Sequence, residues 1–532
     1  MRAAPLAVVL AVLAAGCALP DAPPDAATNA GPGAADAPPA RLTADGRVEV
    51  EVPVPVVLIG FDPGVADALA QRLRPERIAS AWQPVPPPGP SAPEVLERQP
   101  VPLVALARYD VREAPAALAA ALRANLSAWQ VPGEPSILDA KAADAWLEGA
   151  LRDAGLLPDA CCPGLVLLHV GTEGRHGWRA SFENGYIQPA RYFGERAPYG
   201  VLDASAKKDP NGNPAVVSEA RPYTDPLPAG GAATVDALER AARDAARYRL
   251  LHNPIFPVST APCHAITLIL ATRAAALTEA LPGHPRAADL TFVDLLRGHF
   301  ENVTGNAAVH VDFRALSLPT DDPALDALTR GPVVGAYTTW AWVAQHFDDY
   351  WIPHDGCEPY VSVMVQGDAA DQQSVGAAVY PGSWSRRVST SVIGETSRIF
   401  WNATLAEGQG EARQHQERPG WFTYFWAHET GHLMGLQHTQ DHDDEKGAAP
   451  SLLAFSTGQS PMGYTVQGPT SDFGSVDRAT FARHRAGWAI HEAWARGMEG
   501  TPEMDEALRL AGMREWEGAW RALLPTAIPS GG

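Results

Sequence analysis

Residues 428 to 438 read His428-Glu429-Thr430-Gly431-His432-Leu433-Met434-Gly435-Leu436-Gln437-His438. His428 and His432 are one helical turn apart, so on a helix both imidazoles project from one face and can share a metal ion. Gly435 follows. With no Cβ it can adopt a positive φ, end the helix and turn the chain so that His438 returns to the same metal. Glu429 stands beside the first ligand, where a carboxylate can touch a metal-bound water without ligating the metal itself. Three neutral imidazoles leave Zn2+ an open fourth position, which marks a catalytic rather than a structural site. The chemistry on offer is hydrolysis with one zinc ion, Glu429 moving the protons.

This pattern resembles the metzincin clan of zinc metallopeptidases. The resemblance implies a methionine-containing turn downstream, beneath the metal. Ser460-Pro461-Met462-Gly463-Tyr464 supplies one, with turn-forming Pro461 and Gly463 around one of only 7 methionines. Tyr464 occupies the place where astacins, serralysins and pappalysins carry a tyrosine close to the zinc, which binds it at rest or donates a hydrogen bond to the oxyanion. The stretch Gly435-Leu436-Gln437-His438-Thr439 is most similar to serralysins and pappalysins. The calcium repeats of the former and the cysteine pattern of the latter are missing, so the family within the clan stays open. Covering residues 428 to 464, the resemblance implies an α+β zincin-like domain with a mixed twisted sheet, an active-site helix and the Met-turn. It also implies a peptide or protein substrate bound extended along an edge strand above the helix. Two other readings stay open: a non-catalytic envelope binding protein on the same scaffold, which has no need of Glu429, and a zinc hydrolase of a non-peptide amide.

Other clusters carry less. Asp441-His442-Asp443-Asp444-Glu445 gathers carboxylates that could take Ca2+, but it lacks EF-hand spacing and reads as a solvated acidic loop. Trp421, Phe422, Tyr424, Phe425 and Trp426 read as the face that packs the active-site helix into a core. His310, His346 and His354 have no ligand spacing and are assigned no role.

The elements that must position this site follow from periodicity. An apolar helix is expected over Phe422 to Leu436. Before it, strands are read at Ala265 to Ala271, Ala307 to Phe313 and Tyr360 to Gln366, with shorter ones at Ser389 to Val392 and Ile399 to Thr404. Helices are read over Thr234 to Leu251 and Phe292 to Phe300. Beyond Trp488, Met504, Leu508, Met513, Trp516, Trp520 and Leu523 recur at helical spacing, as a tail packing on the domain. Upstream, Val48 to Ile59 reads as a strand ended by Gly60, followed by helices at Val65 to Leu73, Pro115 to Trp129 and Ala140 to Leu156. Strands are read at Val101 to Ala107 and Leu165 to His169. This strand–helix alternation implies an α/β N-terminal domain, in which no phosphate loop, nucleophile elbow or dinucleotide fingerprint is found. The expected division is an α/β domain over 46–206, a polar Pro/Asn/Gly linker over 207–233, the catalytic domain over 234–495 and a helical tail over 496–532. The N-terminal domain's role is left open between prodomain, recruiting module and spacer.

The first residues read as an address. Arg2 precedes the apolar run Leu6 to Leu13, and Leu13-Ala14-Ala15-Gly16-Cys17 resembles a bacterial lipobox. Residues 1–16 are expected to be a signal peptide, Cys17 the lipidated residue, and the Ala/Pro-rich stretch 17–45 a tether. The chain is therefore expected at the bacterial cell envelope, periplasmic or on the outer surface, held at a membrane by its lipid, or else secreted. With 41 Lys+Arg against 61 Asp+Glu over 532 residues and a formal charge of −20, nucleic acid is excluded as the main partner, because phosphate binding needs clustered cations. Export permits disulfides. Cys161, Cys162, Cys263 and Cys357 can pair in three ways, adjacent Cys161 and Cys162 being too strained to join each other. One or two bridges are expected, with the pairing open.

Overall fold

The computed structural model describes residues 39–82, 99–156, 164–171, 176–181, 187–189, 199–206, 226–247, 257–272, 291–305, 307–317, 342–343, 346–366, 375–379, 387–393, 421–436, 461–462 and 473–527. All of them fall in one compact unit, 39–532. Cys17 and the whole segment 1–38, the Asp441–Glu445 cluster and Ile399 to Thr404 lie outside the described residues.

The strand β2 (Val48–Ile59) is the spine of the first sheet. Its even-numbered valines and Leu58 face one core, while Val57 and Ile59 face another, as the period of two requires. Around it lie β7 (Gly164–Leu168), β10 (Tyr199–Asp203) and β4 (Gln99–Glu113), in the order β10-β7-β2-β4, with all neighbours parallel. β3 (Glu76–Trp82) closes one edge antiparallel to β4, and β1 (Arg41–Leu42) pairs antiparallel with the start of β2. Pro53 and Pro55 sit where β2 has β4 on one side and β7 has not yet joined, since that pairing begins at Val56. Missing N–H groups cost no ladder bond there. The helices α2 (Ala116–Asn125) and α3 (Ala140–Asp153) cover one face. The other face carries α1 (Val65–Arg72) and α4 (Ala232–Ala245). A small sheet of β5 (Gln130–Val131), β6 (Glu134–Asp139), β8 (Gly177–Ser181) and β9 (Ile187–Pro189) stands beside them.

The second sheet has the order β12-β11-β13-β15-β14. β11 (Cys263–Thr272), β12 (Ala308–Ser317), β13 (Glu358–Gln366) and β15 (Arg387–Ile393) run parallel to their neighbours. β14 (Val375–Val379) is antiparallel to β15 and is an edge strand among the described residues. The sheet is thus mixed, and the fold mixed α/β. Ile266, Leu268 and Leu270 of β11 face a core shared with α5 (Thr291–Val303) and α7 (Trp421–Leu433). Ile269 and Ala271 face the opposite one, filled by Trp342, Val343 and Phe347 of α6 (Phe347–Tyr350).

The C-terminal helices join the two sheets. α8 (Ser475–Ala495) gives Phe481 to the core beneath α7 and Ala486, Ala489, Ile490 and Ala493 to the core of the first sheet. Gly487 makes this approach possible, since a Cβ there would stand 3.2 Å from Leu103 Cβ on β4. The expected tail is two helices, α9 (Pro502–Gly512) and α10 (Trp516–Ala527). Met504, Trp516, Trp520 and Leu523 pack into the core of the first sheet. Residues on both sides of the stretch 207–233 therefore share one core. Among the described residues, no helix is long and apolar enough to cross a membrane.

Candidate metal centre

Helix α7 packs against β13, β14 and β15 of the second sheet and against α5. Residues 426–436 are buried throughout. Trp426 belongs to the core beneath the helix, in line with the packing role read for the aromatic cluster; the side chains of 421–425 lie outside the described set.

Gly435 ends the helix with φ +99°. Its N–H donates to the carbonyl of His432 at 2.9 Å, and the N–H of Leu436 donates to the carbonyl of Gly431 at 3.0 Å. These are the two bonds of a Schellman motif, which needs a residue free to take the left-handed conformation. The turn has a second consequence. It brings the Leu436 carbonyl to 2.8 Å from His432 Nδ1. His428 Nδ1 lies 2.6 Å from the carbonyl of Pro461, in the expected Met-turn. A carbonyl can only accept, so each Nδ1 carries the proton, and the lone pair of each neutral ring is on Nε2. Fixing the tautomer and ring orientation through the far nitrogen is how metal-ligating histidines are held. The two rings stand 4.7 Å apart at an interplanar angle of 82°.

Glu429 is 3% exposed, and its Oε2 has no hydrogen-bond partner among the described residues. Burial pushes its carboxyl up to about 8, because a charge there is poorly solvated. A cation beside it would reverse that preference. The residues present therefore fit a metal ion: two imidazoles in the ligating tautomer and one buried carboxyl whose Oε2 has no hydrogen-bond partner among the described residues.

Met462 is fully buried beneath the helix, in the same core as Trp426, Ala427, Leu433 and Met434. It lies so close that a Cβ on Gly431 would be 2.5 Å from its Sδ and 3.1 Å from Phe473 Cε1. Gly431 is thus the gap that lets the Met-turn reach the helix. A mid-helix glycine is itself a signal of such packing, since it costs about 1 kcal/mol relative to alanine. His428, Glu429, His432, Gly435 and Met462 are therefore brought together. His438 and Tyr464 lie outside the described residues.

Sequence reasoning missed Arg387. It opens β15, is 7% exposed, and donates from Nη1 to the carbonyls of Leu433 at 2.8 Å and Pro257 at 3.1 Å. Its Nε is 2.7 Å from Glu358 Oε1 on β13. Leu433 is the last residue of α7, so a buried cation sits on one of the orphan carbonyls of that helix end, where the helix dipole favours it. No spacing in the sequence links residue 387 to 433; only the packing of α7 on β15 does.

The comparisons with known proteins add little. No family model matches the chain and no curated protein matches it. A chain in the solved "Structure of a chaperone-substrate complex" aligns over 63% of this chain and 50% of that one, at 13% identity and a TM-score of 0.19. A likeness that low carries no argument.

Proposed function

We propose that this chain is a zinc-dependent endopeptidase of the metzincin type. The observation that carries the reading is the pairing of His428 Nδ1 and His432 Nδ1 with backbone carbonyls, with the buried Glu429, whose Oε2 has no hydrogen-bond partner among the described residues, between them in sequence. A binding module on this scaffold would have no use for a buried carboxyl there, whose desolvation is unfavourable.

His428 and His432 would hold the ion, with His438 as the third ligand that the resemblance implies; the Schellman turn at Gly435 reverses the chain just before it. When bound, zinc supplies the Lewis acidity that polarises a peptide carbonyl and acidifies water. Glu429 takes the proton of the attacking water at Oε2 and delivers it to the leaving amine. Tyr464 donates to the developing oxyanion. Leu436 and Pro461 hold the two imidazoles in one tautomer, and Arg387 fixes the end of the helix that carries them. The antiparallel edge strand β14, against which α7 packs, is the place for an extended peptide or protein substrate to add as a further strand. Export as an envelope lipoprotein through Cys17 belongs to the same reading.

Metal analysis and peptide-library cleavage test it together. Glu429→Ala is expected to keep its zinc and lose nearly all cleavage, and His432→Ala to lose the zinc. A Glu429→Ala chain that still cleaves, or a wild-type chain that binds no zinc, overturns the proposal.

A further inference from the structure

Cys263 opens β11, and Cys357 directly precedes β13, its parallel neighbour. Because His264 is in register with Glu358, the two cysteines face each other across the strand pair, and they are joined as a disulfide. On the other side of β11, β12 places His310 in register with Ala265. A ring nitrogen of His310 and both Sγ atoms lie within 4.8 Å of one another, with His310 exposed and both cysteines part-exposed. The imidazole is backed by a second ring. His354 stacks on His310 with centroids 4.2 Å apart and planes 12° from parallel, and His354 Nε2 is 2.7 Å from Asp312 Oδ2 on β12.

We propose that Cys263, Cys357 and His310 form a second metal site, open only when the disulfide is reduced, that takes a thiophilic divalent ion of the zinc class. Thiolate and imidazole are the donors that zinc selects. Donor atoms around tetrahedral zinc stand about 3.8 Å apart, as bonds of about 2.3 Å require, so small side-chain rotations bring these three into place. The sheet register and the His354 stack hold the donors where they are needed, so the folded chain has little ordering left to do on binding. Opening the site takes a dithiol reductant. Its two thiols give two electrons and two protons, the S–S bond between Cys263 and Cys357 breaks, one S–S bond forms in the reductant, and two cysteine thiols result. Metal binding then releases those two protons, leaving thiolates. Three protein ligands leave the fourth position to water or to a further donor.

Co2+ is the probe. Full-length protein is reduced with dithiothreitol, desalted under nitrogen and titrated with Co2+, reading thiolate-to-cobalt charge transfer in the near ultraviolet. The His428/His432 centre has no sulfur ligand and cannot give that band, so failure here and failure of the peptidase reading are distinguishable. The expected result is a saturable band in reduced wild type and in Cys161→Ser/Cys162→Ser, complete within the two equivalents that this site and the His428/His432 centre take together. It is absent from the oxidised chain and from Cys263→Ser or Cys357→Ser. His310→Ala is expected to weaken binding tenfold or more, at least what loss of an outer-shell partner costs. No band in reduced wild type, a band surviving in Cys263→Ser, or unchanged affinity in His310→Ala each overturns the proposal. So does a reduced chain that loses its near-ultraviolet circular dichroism and does not regain it with Co2+, because the site requires the folded sheet.

Discussion

Gly431→Ala tests how the Met-turn is seated under the helix. The new Cβ would stand 2.5 Å from Met462 Sδ and 3.1 Å from Phe473 Cε1, where ordinary contact is about 3.5–4.0 Å. Met462 and Phe473 are 0% and 1% exposed, so the sulfur can retreat by the needed ångström only into packed neighbours. Overpacking of this kind costs about 1–3 kcal/mol. Opposing it, alanine is favoured over glycine in a helix interior by about 1 kcal/mol. The expected net effect is a loss of about 1 kcal/mol. Met462→Ala alone empties a fully buried site and costs about 2–5 kcal/mol. Once the thioether is gone, Phe473 can shift the few tenths of an ångström it must give into the void, so Gly431→Ala in the Met462→Ala background gains about 1 kcal/mol, from helix propensity and partial filling of the void. The sign reverses, and the coupling is about 2 kcal/mol, within the range for residues in contact. Native-state hydrogen exchange of the α7 amides measures it, since a chain of this length need not unfold in one step. Additive effects, or a Gly431→Ala that stabilises both backgrounds alike, would refute the placement of Met462 against the helix.

Arg387→Met removes a buried cation and leaves the Leu433 and Pro257 carbonyls and Glu358 without it. Breaking such a pair from one side costs about 3–5 kcal/mol when fully buried. With Glu358 20% exposed, about 3 kcal/mol is expected in α7 hydrogen exchange, and a loss no larger than for an exposed arginine counts against the strut. Acid stability should depend on His264, which is fully buried, bonded at Nδ1 to Tyr360, and held down to about 3 by burial first and by the charges of Arg485 and Arg387 second. A depressed base binds its proton less well folded than unfolded. Its stabilisation is therefore complete above about 6.5 and is lost as pH falls from there toward 3, by up to about 1.4 kcal/mol per unit. Between pH 7 and 5 the wild type should lose about 2 kcal/mol more than His264→Phe in thermal or denaturant unfolding, and parallel pH curves would contradict this.

The candidate site was legible because it is local. His428, Glu429, His432 and Gly435 lie within a few residues, and helical periodicity and one glycine fix how they face each other. Val48 to Ile59 was equally legible, its alternation matching the part of the strand fully buried on one face and its apolar end, 56–59, the part buried on both. What the sequence hid depends on distant partners. Arg387 meets Leu433, and α8 bridges two sheets, through register and packing that no window of sequence contains. The strand β14, with Gly376, Ala377 and Ala378 between its valines, carries too little apolar contrast to be read as a strand, yet it forms the sheet edge beside α7. The disulfide pairing was open for the same reason. Cys263 and Cys357 meet because β11 and β13 are parallel neighbours; Cys161 and Cys162 lie outside the described residues.

The most direct test of the central claim is cleavage of denatured casein by the purified, zinc-loaded chain, beside the Glu429→Ala chain at matched zinc content and a chelated control. The account predicts that wild type cleaves and that both controls lose nearly all of that cleavage, with readdition of zinc restoring the chelated enzyme alone. Equal cleavage by zinc-loaded Glu429→Ala, or none by folded, zinc-loaded wild type across casein and a peptide library, would contradict it.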